Sequence, residues 1–366
     1  MIDTRLILLE GLPGTGKTTN SDFLRIQLEL NGNKANWIHE VSCPHPTSFF
    51  DEANFTYNEY DEFLKLNPKF ADILNDNAIF RLNTLGINLL EIEWKFIDII
   101  DEKLFKALRQ YDVWEFSFDK FYKVSLDKWS KFVEGALENN NEIYILDSSI
   151  FQFLIFYILL KNEPYEYLEN LIHKIMNLIL PLNPCLIYFY RENTEETIHY
   201  LVRDRGIKFL EWIYERDKKQ PYYIDKPKGA EGHKQFLRDY SKYAKLLFES
   251  INCKKLPIEI SEGDWKSYEI SMLSSLGINR KLPLNFSPIN GVYRNEDKKY
   301  EIIIESWKMI DPDGKQRKLI PKNEKEFYIE SLPLILLYEE SGNIVLKGQQ
   351  INAQWTRQGM KYQKCE

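Results

Sequence analysis

Five short runs of mostly apolar residues recur along the first 280 residues, separated by longer stretches with helical spacing. The runs are RLILLE (5–10), KANWIHE (34–40), EIYILD (142–147), CLIYFY (185–190) and KLPIEIS (255–261). Strands that are buried on both faces of a parallel sheet have this nearly continuous apolar character. Their alternation with helices predicts an α/β domain, at 1–280, built around a five-stranded parallel sheet.

Two longer segments interrupt this alternation. Helical spacing at 63–74, at 80–100 and from Leu126 onward predicts a helical insert at about 50–140 that forms one wall of a cleft. The polar stretch at about 194–234 predicts a lid. The apolar run at 150–160 is too short to span a bilayer and predicts a buried helix, so we expect no membrane partner.

The pattern changes near residue 282, where short alternating runs are separated by the turn sequences NG, ED, DPDG and SGN. Close spacing of turns predicts a small antiparallel β-meander or barrel over 288–366. The segment KLPLNFSP (281–288) is a plausible linker to it. This β domain could shape substrate access, mediate contacts in a homodimer, or bind a partner protein.

Composition narrows the functional classes. The net charge of −7 makes a broad nucleic-acid-coating surface unlikely, and we do not expect a nucleic-acid partner. The four cysteines have no CxxC spacing, so neither a disulfide framework nor a zinc site is indicated. The amino terminus lacks the basic-then-apolar pattern of a secretory leader, and we expect a cytoplasmic location.

The segment GLPGTGKT, Gly11–Thr18, fits the phosphate-loop pattern G-x-x-x-x-G-K-[ST] in full. It follows a predicted strand and precedes a predicted helix, so an ordinary glycine-rich turn is the weaker interpretation. Lys17 would reach the β- and γ-phosphates, and the hydroxyl of Thr18 would bind Mg²⁺. The predicted ligands are therefore ATP and Mg²⁺, and the predicted nucleotide-binding residues are Gly11, Pro13, Gly14, Thr15, Gly16, Lys17, Thr18 and Thr19.

Two acidic residues fall at the ends of predicted strands, where functional groups gather in open parallel sheets. Glu40 ends the second strand and could take the proton of an acceptor hydroxyl. Asp147 ends the third and could hold Mg²⁺ together with Thr18. The alternatives are that Asp147 caps the following helix and that Glu40 is a solvated loop residue.

Arginines in the predicted lid are candidates for the transferred phosphate. Arg203 and Arg205 precede Gly206 at the predicted end of a helix, where they could converge on a ligand from the helix end and loop. The alternative is a charged, solvated helix, and for Arg216 that alternative is favoured.

The stretch LLEGLPGTGKTT (8–19) resembles the phosphate loop of thymidylate kinases. The wider group of nucleoside and nucleoside-monophosphate kinases implies a five-stranded parallel sheet, an acid after the second strand, and a lid with an R-x-R sequence. Glu40 and Arg203-Asp204-Arg205 occupy matching places. Ser148 stands where the group has arginine, and the R-E-P-G sequence of thymidylate kinases is missing after the second strand.

Two functional hypotheses follow. The first is a kinase that uses Lys17, Glu40, Arg203 and Arg205 to transfer phosphate from ATP to a small-molecule acceptor. The second is a regulatory or defence-type ATPase that switches contacts with a partner protein. An acid after strand two paired with lid arginines favours the kinase, because a switch does not need them.

Overall fold

The computed structural model describes residues 2–297, 299–357 and 359–365. Its strands are β1 (Leu6–Gly11), β2 (Lys34–Ile38), β3 (Glu52–Thr56), β4 (Ala78–Phe80), β5 (Thr84–Asn88), β6 (Glu142–Asp147), β7 (Pro184–Tyr190), β8 (Lys254–Glu259), β9 (Gly291–Asn295), β10 (Glu301–Glu305), β11 (Lys308–Ile310), β12 (Gln316–Pro321), β13 (Glu326–Ile329), β14 (Leu334–Tyr338), β15 (Ile344–Gly348) and β16 (Lys361–Lys364).

All the α-helices of the described residues lie in the first 280 residues. They are α1 (Lys17–Leu30), α2 (Tyr57–Leu66), α3 (Ala71–Asp76), α4 (Leu89–Phe96), α5 (Glu102–Arg109), α6 (Phe118–Glu138), α7 (Gln152–Lys161), α8 (Tyr165–Ile179), α9 (Thr194–Arg205), α10 (Ile207–Asp217), α11 (Ala230–Ser250) and α12 (Trp265–Leu276). The apolar run at 150–160 forms most of α7, as its pattern predicts.

The central sheet has five parallel strands in the order β2-β6-β1-β7-β8. This confirms the predicted α/β fold class. Its two faces have separate cores, because successive side chains of a strand point to opposite sides. Leu6 and Leu8 of β1 face the layer that contains α6, α7, α8 and α11, whereas Ile7 and Leu9 face α1 and α12. The carboxyl ends of these strands therefore meet at one edge, as the phosphate loop requires.

The insert differs from the prediction of helices alone. It contains a three-stranded antiparallel sheet in the order β3-β5-β4. Within the segment predicted as helix at 80–100, residues 80 and 84–88 lie in β4 and β5, whereas 89–96 form the helix α4. Leu85, Ile87 and Ile92 are buried at spacings that fit either element, so periodicity could not separate them. Glycine at position 86 allows β5 to lie close to β3, since a Cβ there would lie 2.1 Å from the Glu52 carboxylate.

The carboxyl-terminal strands β9 to β16 form a closed eight-stranded barrel in which each strand pairs with the next and β16 pairs with β9. Side chains fill its interior, as in other barrels of this size, and the most buried include Tyr293, Ile302, Phe327, Leu336 and Tyr362. The alternating pattern predicted a meander or barrel, and the barrel is what forms.

The barrel packs directly against α1, the helix that follows the phosphate loop. The Asp22 carboxylate accepts a hydrogen bond of 2.8 Å from the backbone N–H of Ser331. The Arg25 guanidinium lies between two rings, 5.1 Å from the centre of Trp37 and 5.0 Å from that of Tyr328. A barrel residue thus touches each of two successive turns of α1.

None of the helices in the described parts of the chain is long and apolar enough to cross a membrane.

Candidate active site

The phosphate loop joins β1 to α1 in a backbone conformation that favours glycine. Gly14 and Gly16 have φ angles of 81° and 86°, in the left-handed region that other residues rarely adopt. A Cβ atom on Gly16 would also lie 2.8 Å from the ring of Trp265. A Cβ atom on Gly11 would lie 2.5 Å from the carbonyl oxygen of Phe189. The loop thus runs close to its neighbours and delivers the positive end of α1 to one site.

Lys17 is the first residue of α1, and its ammonium lies over the loop. Its Nζ donates to the carbonyl oxygens of Gly11 at 2.9 Å and Leu12 at 3.1 Å. The hydroxyl of Thr15 also donates to Leu12, at 2.8 Å, which fixes the loop. Because phosphate oxygens are stronger acceptors than carbonyls, the ammonium is placed to serve an anion at the loop.

Two buried carboxylates lie behind the loop, and each has one oxygen without a hydrogen-bond partner in the described structure. Asp147 Oδ1 accepts from the hydroxyl of Ser148 at 3.0 Å, and Glu10 Oε1 accepts from the N–H of Ile150 at 2.6 Å. Asp147 Oδ2 and Glu10 Oε2 accept nothing. Ser148, in the place of the expected arginine, has a left-handed φ of 59°. Unpaired polar atoms and backbone strain are features of functional sites.

The environment of these acids favours a nearby positive charge. Burial raises the pKa of Asp147 to about 6, and the charge of Glu40 adds to the rise, whereas Lys17 and the Thr18 hydroxyl lower it. Burial also raises the pKa of Glu10 to about 7. A cation beside these carboxylates would favour their ionised forms at neutral pH.

The two predicted Mg²⁺ ligands, Asp147 and Thr18, have side chains suited to binding this ion. Asp147 offers a buried oxygen with no partner, and the Thr18 hydroxyl is close enough to lower the pKa of that carboxyl. Carboxylate and hydroxyl oxygens are the hard donors that Mg²⁺ prefers. The described residues contain no group of three or more His, Cys, Asp or Glu side chains arranged to hold a metal. Two protein donors supplemented by phosphate oxygens and water are the usual arrangement for Mg²⁺ at nucleotide sites.

Glu40 lies in the loop after β2, two residues beyond the strand that was predicted to contain it. Its carboxylate is half-buried, and Oε2 accepts from the side-chain amide of Gln152 at 3.3 Å. The neighbouring histidines shape this loop, since His39 Nδ1 accepts from the N–H of Val41 and His45 Nδ1 accepts from backbone N–H groups further on. Burial is the main cause that lowers the pKa of both imidazoles. They therefore act as neutral acceptors of backbone hydrogen bonds.

A cavity of about 420 Å³ lies beside the phosphate loop. It is separate from another cavity, of about 440 Å³, that lies between α6 and the barrel. We call the cavity beside the phosphate loop the nucleotide cavity. It is lined by Pro13, Gly14, Gly16, Lys17, Thr18, Thr19, Glu40, Gln152, Phe156, Leu201, Asp204, Arg205, Phe209, Trp212, Ile213 and Arg216. Most of the predicted nucleotide-binding residues and Glu40 therefore surround one space. Gly11 and Thr15 lie beneath the loop surface, and Asp147 is fully buried behind it.

The structure separates the two arginines that were expected to converge. Arg205 lines the nucleotide cavity, and within the described structure no carboxylate pairs with it. Arg203 is not among the lining residues; it packs over the ring of Tyr200 and pairs with Asp204. Arg216, which the sequence favoured as a solvated residue, lines the cavity instead.

Sequence reasoning missed the aromatic side of the lid. Phe209 and Trp212 line the nucleotide cavity between the two lining arginines, with Arg205 over the Phe209 ring and Arg216 over the Trp212 ring. The positions 205, 209, 212 and 216 follow the four-three-four spacing of a single helix face, even though Gly206 separates α9 from α10. That spacing is the signal in the sequence that indicates these four residues together.

A second cavity of about 200 Å³ adjoins the first and shares Glu40, Gln152, Phe156 and Arg216 with it. We call it the acceptor cavity. Its remaining lining residues are Val41, Phe50, Trp114 and Phe153.

Comparison with protein-family models and with curated proteins finds no match for this chain. The fold is compatible with the kinase group that the phosphate loop resembles, in that a five-stranded parallel sheet carries a loop and a lid at its carboxyl edge. The carboxyl-terminal barrel has no counterpart in that resemblance. Function must therefore be inferred from the site itself.

Proposed function

We propose that this protein transfers the γ-phosphoryl group of ATP to a hydroxyl or phosphate group of a small molecule. The observation that carries the proposal is the nucleotide cavity. It brings together the phosphate loop with Lys17, the guanidinium of Arg205 and the carboxylate of Glu40. Among the residues that the structure describes, Arg205 has no acid partner and Glu40 has no cation partner. Phosphoryl transfer needs cations for the transferred group and a group that orients the attacking oxygen.

Each residue has a role that follows from its position. The loop backbone and Lys17 would hold the β- and γ-phosphates, and Arg205 would compensate charge that develops on the transferred group. Glu40, held by Gln152, would accept the proton of the attacking hydroxyl. Thr18 and Asp147 would hold Mg²⁺, which supplies charge neutralisation on the phosphate oxygens when bound.

The lid would exclude water from this reaction. Phe209 and Trp212 line the same cavity as the phosphate loop, and Trp212 remains 59% exposed. Covering the cavity would bury that ring and strengthen the electrostatic interactions within it.

The contact between the barrel and α1 favours a second candidate, a nucleotide-dependent switch. Asp22 and Arg25 connect the helix that begins at Lys17 with the barrel, so a change at the loop could reach a barrel-bound partner. Such a switch does not require Glu40 to face the nucleotide. We therefore place the kinase first.

The experiment is release of ADP from Mg·ATP, with and without a panel of nucleosides, nucleotides and hydroxylated antibiotics. Wild type is compared with Glu40→Gln and with Glu340→Gln, which makes the same charge change on the exposed barrel surface. We expect one acceptor to stimulate ADP release, and Glu40→Gln to suppress that stimulation while ATP still binds. Slow hydrolysis that no acceptor alters would instead support the switch.

A further inference from the structure

The acceptor cavity differs in charge from the nucleotide cavity that it adjoins. Its only cation among the described lining residues is Arg216, and that guanidinium is already paired through two hydrogen bonds with Asp217, at 2.7 and 2.6 Å. Bidentate pairs of this kind are strong and geometrically specific. Arg216 is therefore largely neutralised before any acceptor arrives.

Within the described parts of the chain, the carboxylate of Glu40 has no such partner. Its side-chain hydrogen-bond partner is the amide of Gln152, which carries no charge. The cavity therefore presents an uncompensated negative charge at a residue that it shares with the nucleotide cavity. Arg205, the cation without an acid partner, lines the nucleotide cavity but not the acceptor cavity. The nucleotide cavity thus has an arginine that is free to bind the phosphates of the donor, and the acceptor cavity has none among its described lining residues.

The rest of the acceptor cavity is aromatic. Phe50, Trp114, Phe153 and Phe156 contribute rings from the loop after β2, the insert and α7. Rings from several directions around a small space suit a planar ring, which can stack or meet ring edges on them. Gln152 offers the amide donor and acceptor that could read a polar edge of such a ring. At about 200 Å³ the cavity is smaller than the roughly 300–1,000 Å³ typical of drug-sized sites, so the compound is small.

We infer that the acceptor is a small planar-ring compound that presents a free hydroxyl and carries no phosphate group. This inference rests on the proposed function and chooses between the two acceptor classes that it left open. A phosphate-bearing acceptor would bring a second negative charge against Glu40 with no free cation to offset it. An uncharged hydroxyl instead gains from the same carboxylate, which can take its proton.

The transfer step is balanced on this assignment. The acceptor hydroxyl oxygen forms a bond to the γ-phosphorus, and the bond from that phosphorus to the β–γ bridging oxygen breaks. ADP leaves with that electron pair, and the hydroxyl proton passes to Glu40.

The test compares nucleosides with their own 5′-monophosphates as acceptors for the wild-type protein with Mg·ATP. We expect at least one nucleoside to accept phosphate, with kcat/KM at least ten-fold above that of its monophosphate. Transfer to monophosphates as well as or better than to nucleosides would overturn the inference while leaving the proposed function intact. Transfer to no compound in either set, and to none of the hydroxylated antibiotics in the panel above, would contradict both.

A binding measurement assigns the discrimination to the charge of Glu40. Dissociation constants of the best nucleoside and its monophosphate are measured by calorimetry for wild type, Glu40→Gln and the control Glu340→Gln. We expect the monophosphate-to-nucleoside ratio to fall about ten-fold in Glu40→Gln and to stay unchanged in the control. An unchanged ratio in Glu40→Gln would contradict the electrostatic argument, and because this readout is binding, loss of catalysis in that variant does not affect it.

Discussion

Two buried aspartates near the phosphate loop differ in how completely their oxygens are hydrogen-bonded. Asp22 on α1 has both oxygens bonded, one to Arg25 and the other to the N–H of Ser331 on the barrel. Asp147 at the end of β6 has one oxygen bonded to Ser148 and one without a partner. Burial raises the pKa of both carboxyls. Asp22, which joins the barrel to α1, therefore has partners for both of its oxygens. Asp147, beside the phosphate loop, has a partner for only one of its oxygens in the described structure.

The difference indicates where a ligand is expected. A buried polar atom without a partner is costly, and native structures rarely keep one without a reason. Both carboxylates behind the loop, Asp147 and Glu10, have such an atom. The hydrogen bonds of Asp22 are therefore complete within the protein, whereas we expect a ligand to complete those of Asp147.

The largest expected effect is that of replacing Lys17, which lies at the phosphate loop near the partly unpaired Asp147. Lys17→Ala removes the cation that we propose binds the β- and γ-phosphates, and phosphoryl transfer should fall by about 10³- to 10⁵-fold. ADP release in the presence of the best acceptor measures this. Lys325→Ala, on the exposed barrel surface, is the matched control and should keep wild-type turnover. Unchanged turnover in Lys17→Ala would exclude the loop as the catalytic site.

Near the fully paired Asp22, Arg25→Ala should destabilise the protein by about 3–5 kcal/mol, since it leaves the buried carboxylate of Asp22 without its cation. It also removes the packing of Arg25 between Trp37 and Tyr328. Denaturant unfolding at neutral pH measures the loss. The Lys325→Ala control breaks an exposed pair and should unfold like wild type. Equal midpoints for Arg25→Ala and wild type would mean that the barrel contact contributes little.

The unsatisfied state of Asp147 predicts a pH dependence. Its folded pKa of about 6 exceeds the ordinary 3.8, so its contribution to stability is full below about pH 4 and is lost as the pH rises through 6. Asp147→Asn removes that loss and should raise the free energy of unfolding by about 3 kcal/mol at pH 8, but not at pH 4. Unfolding is measured at both pH values without added Mg²⁺ or nucleotide.

The exposed Asp204→Asn is the control for this experiment and should change neither value. A destabilised Asp147→Asn at pH 8 would mean that the carboxylate is stabilised in a way its unpaired oxygen does not indicate.

The smallest effect tests whether the barrel reports on the loop. The hydroxyl of Tyr328 donates to Glu29 of α1 at 2.8 Å. Tyr328→Phe should cost about 1 kcal/mol of stability through that lost hydrogen bond. As a kinase, the protein should keep its ATP affinity and turnover in this variant, because the phosphate loop is untouched. A changed ATP dissociation constant would favour the nucleotide-dependent switch.

Much of the fold was readable from the sequence because it depends on short-range patterns. Continuous apolar runs identified all five parallel strands to within two residues at each end, and the loop sequence at Gly11–Thr18 located the edge where the cavities form. Turn sequences at close spacing identified the barrel region. The insert sheet was missed because apolar residues at 85, 87, 89 and 92 fit a helix as well as a strand.

The candidate site was readable only in part, because side-chain direction depends on tertiary packing. Arg203 and Arg205 are two residues apart on α9 and so point to different sides, and the helix rotation that selects Arg205 is set by buried residues such as Leu201. The inward turn of Arg216 depends on α10 packing against α11. Likewise, a linker at 281–288 indicated a boundary but not that Asp22 and Arg25 would tie the barrel to α1.

The most direct test of the central claim is to follow the labelled γ-phosphate of ATP in a reaction with the acceptor panel. The account predicts that the label appears on one ring compound with a free hydroxyl, in amounts equal to the ADP formed, and that Lys17→Ala produces none. Label found only as inorganic phosphate, at a rate that no acceptor changes, would contradict it and leave the protein a nucleotide-dependent switch.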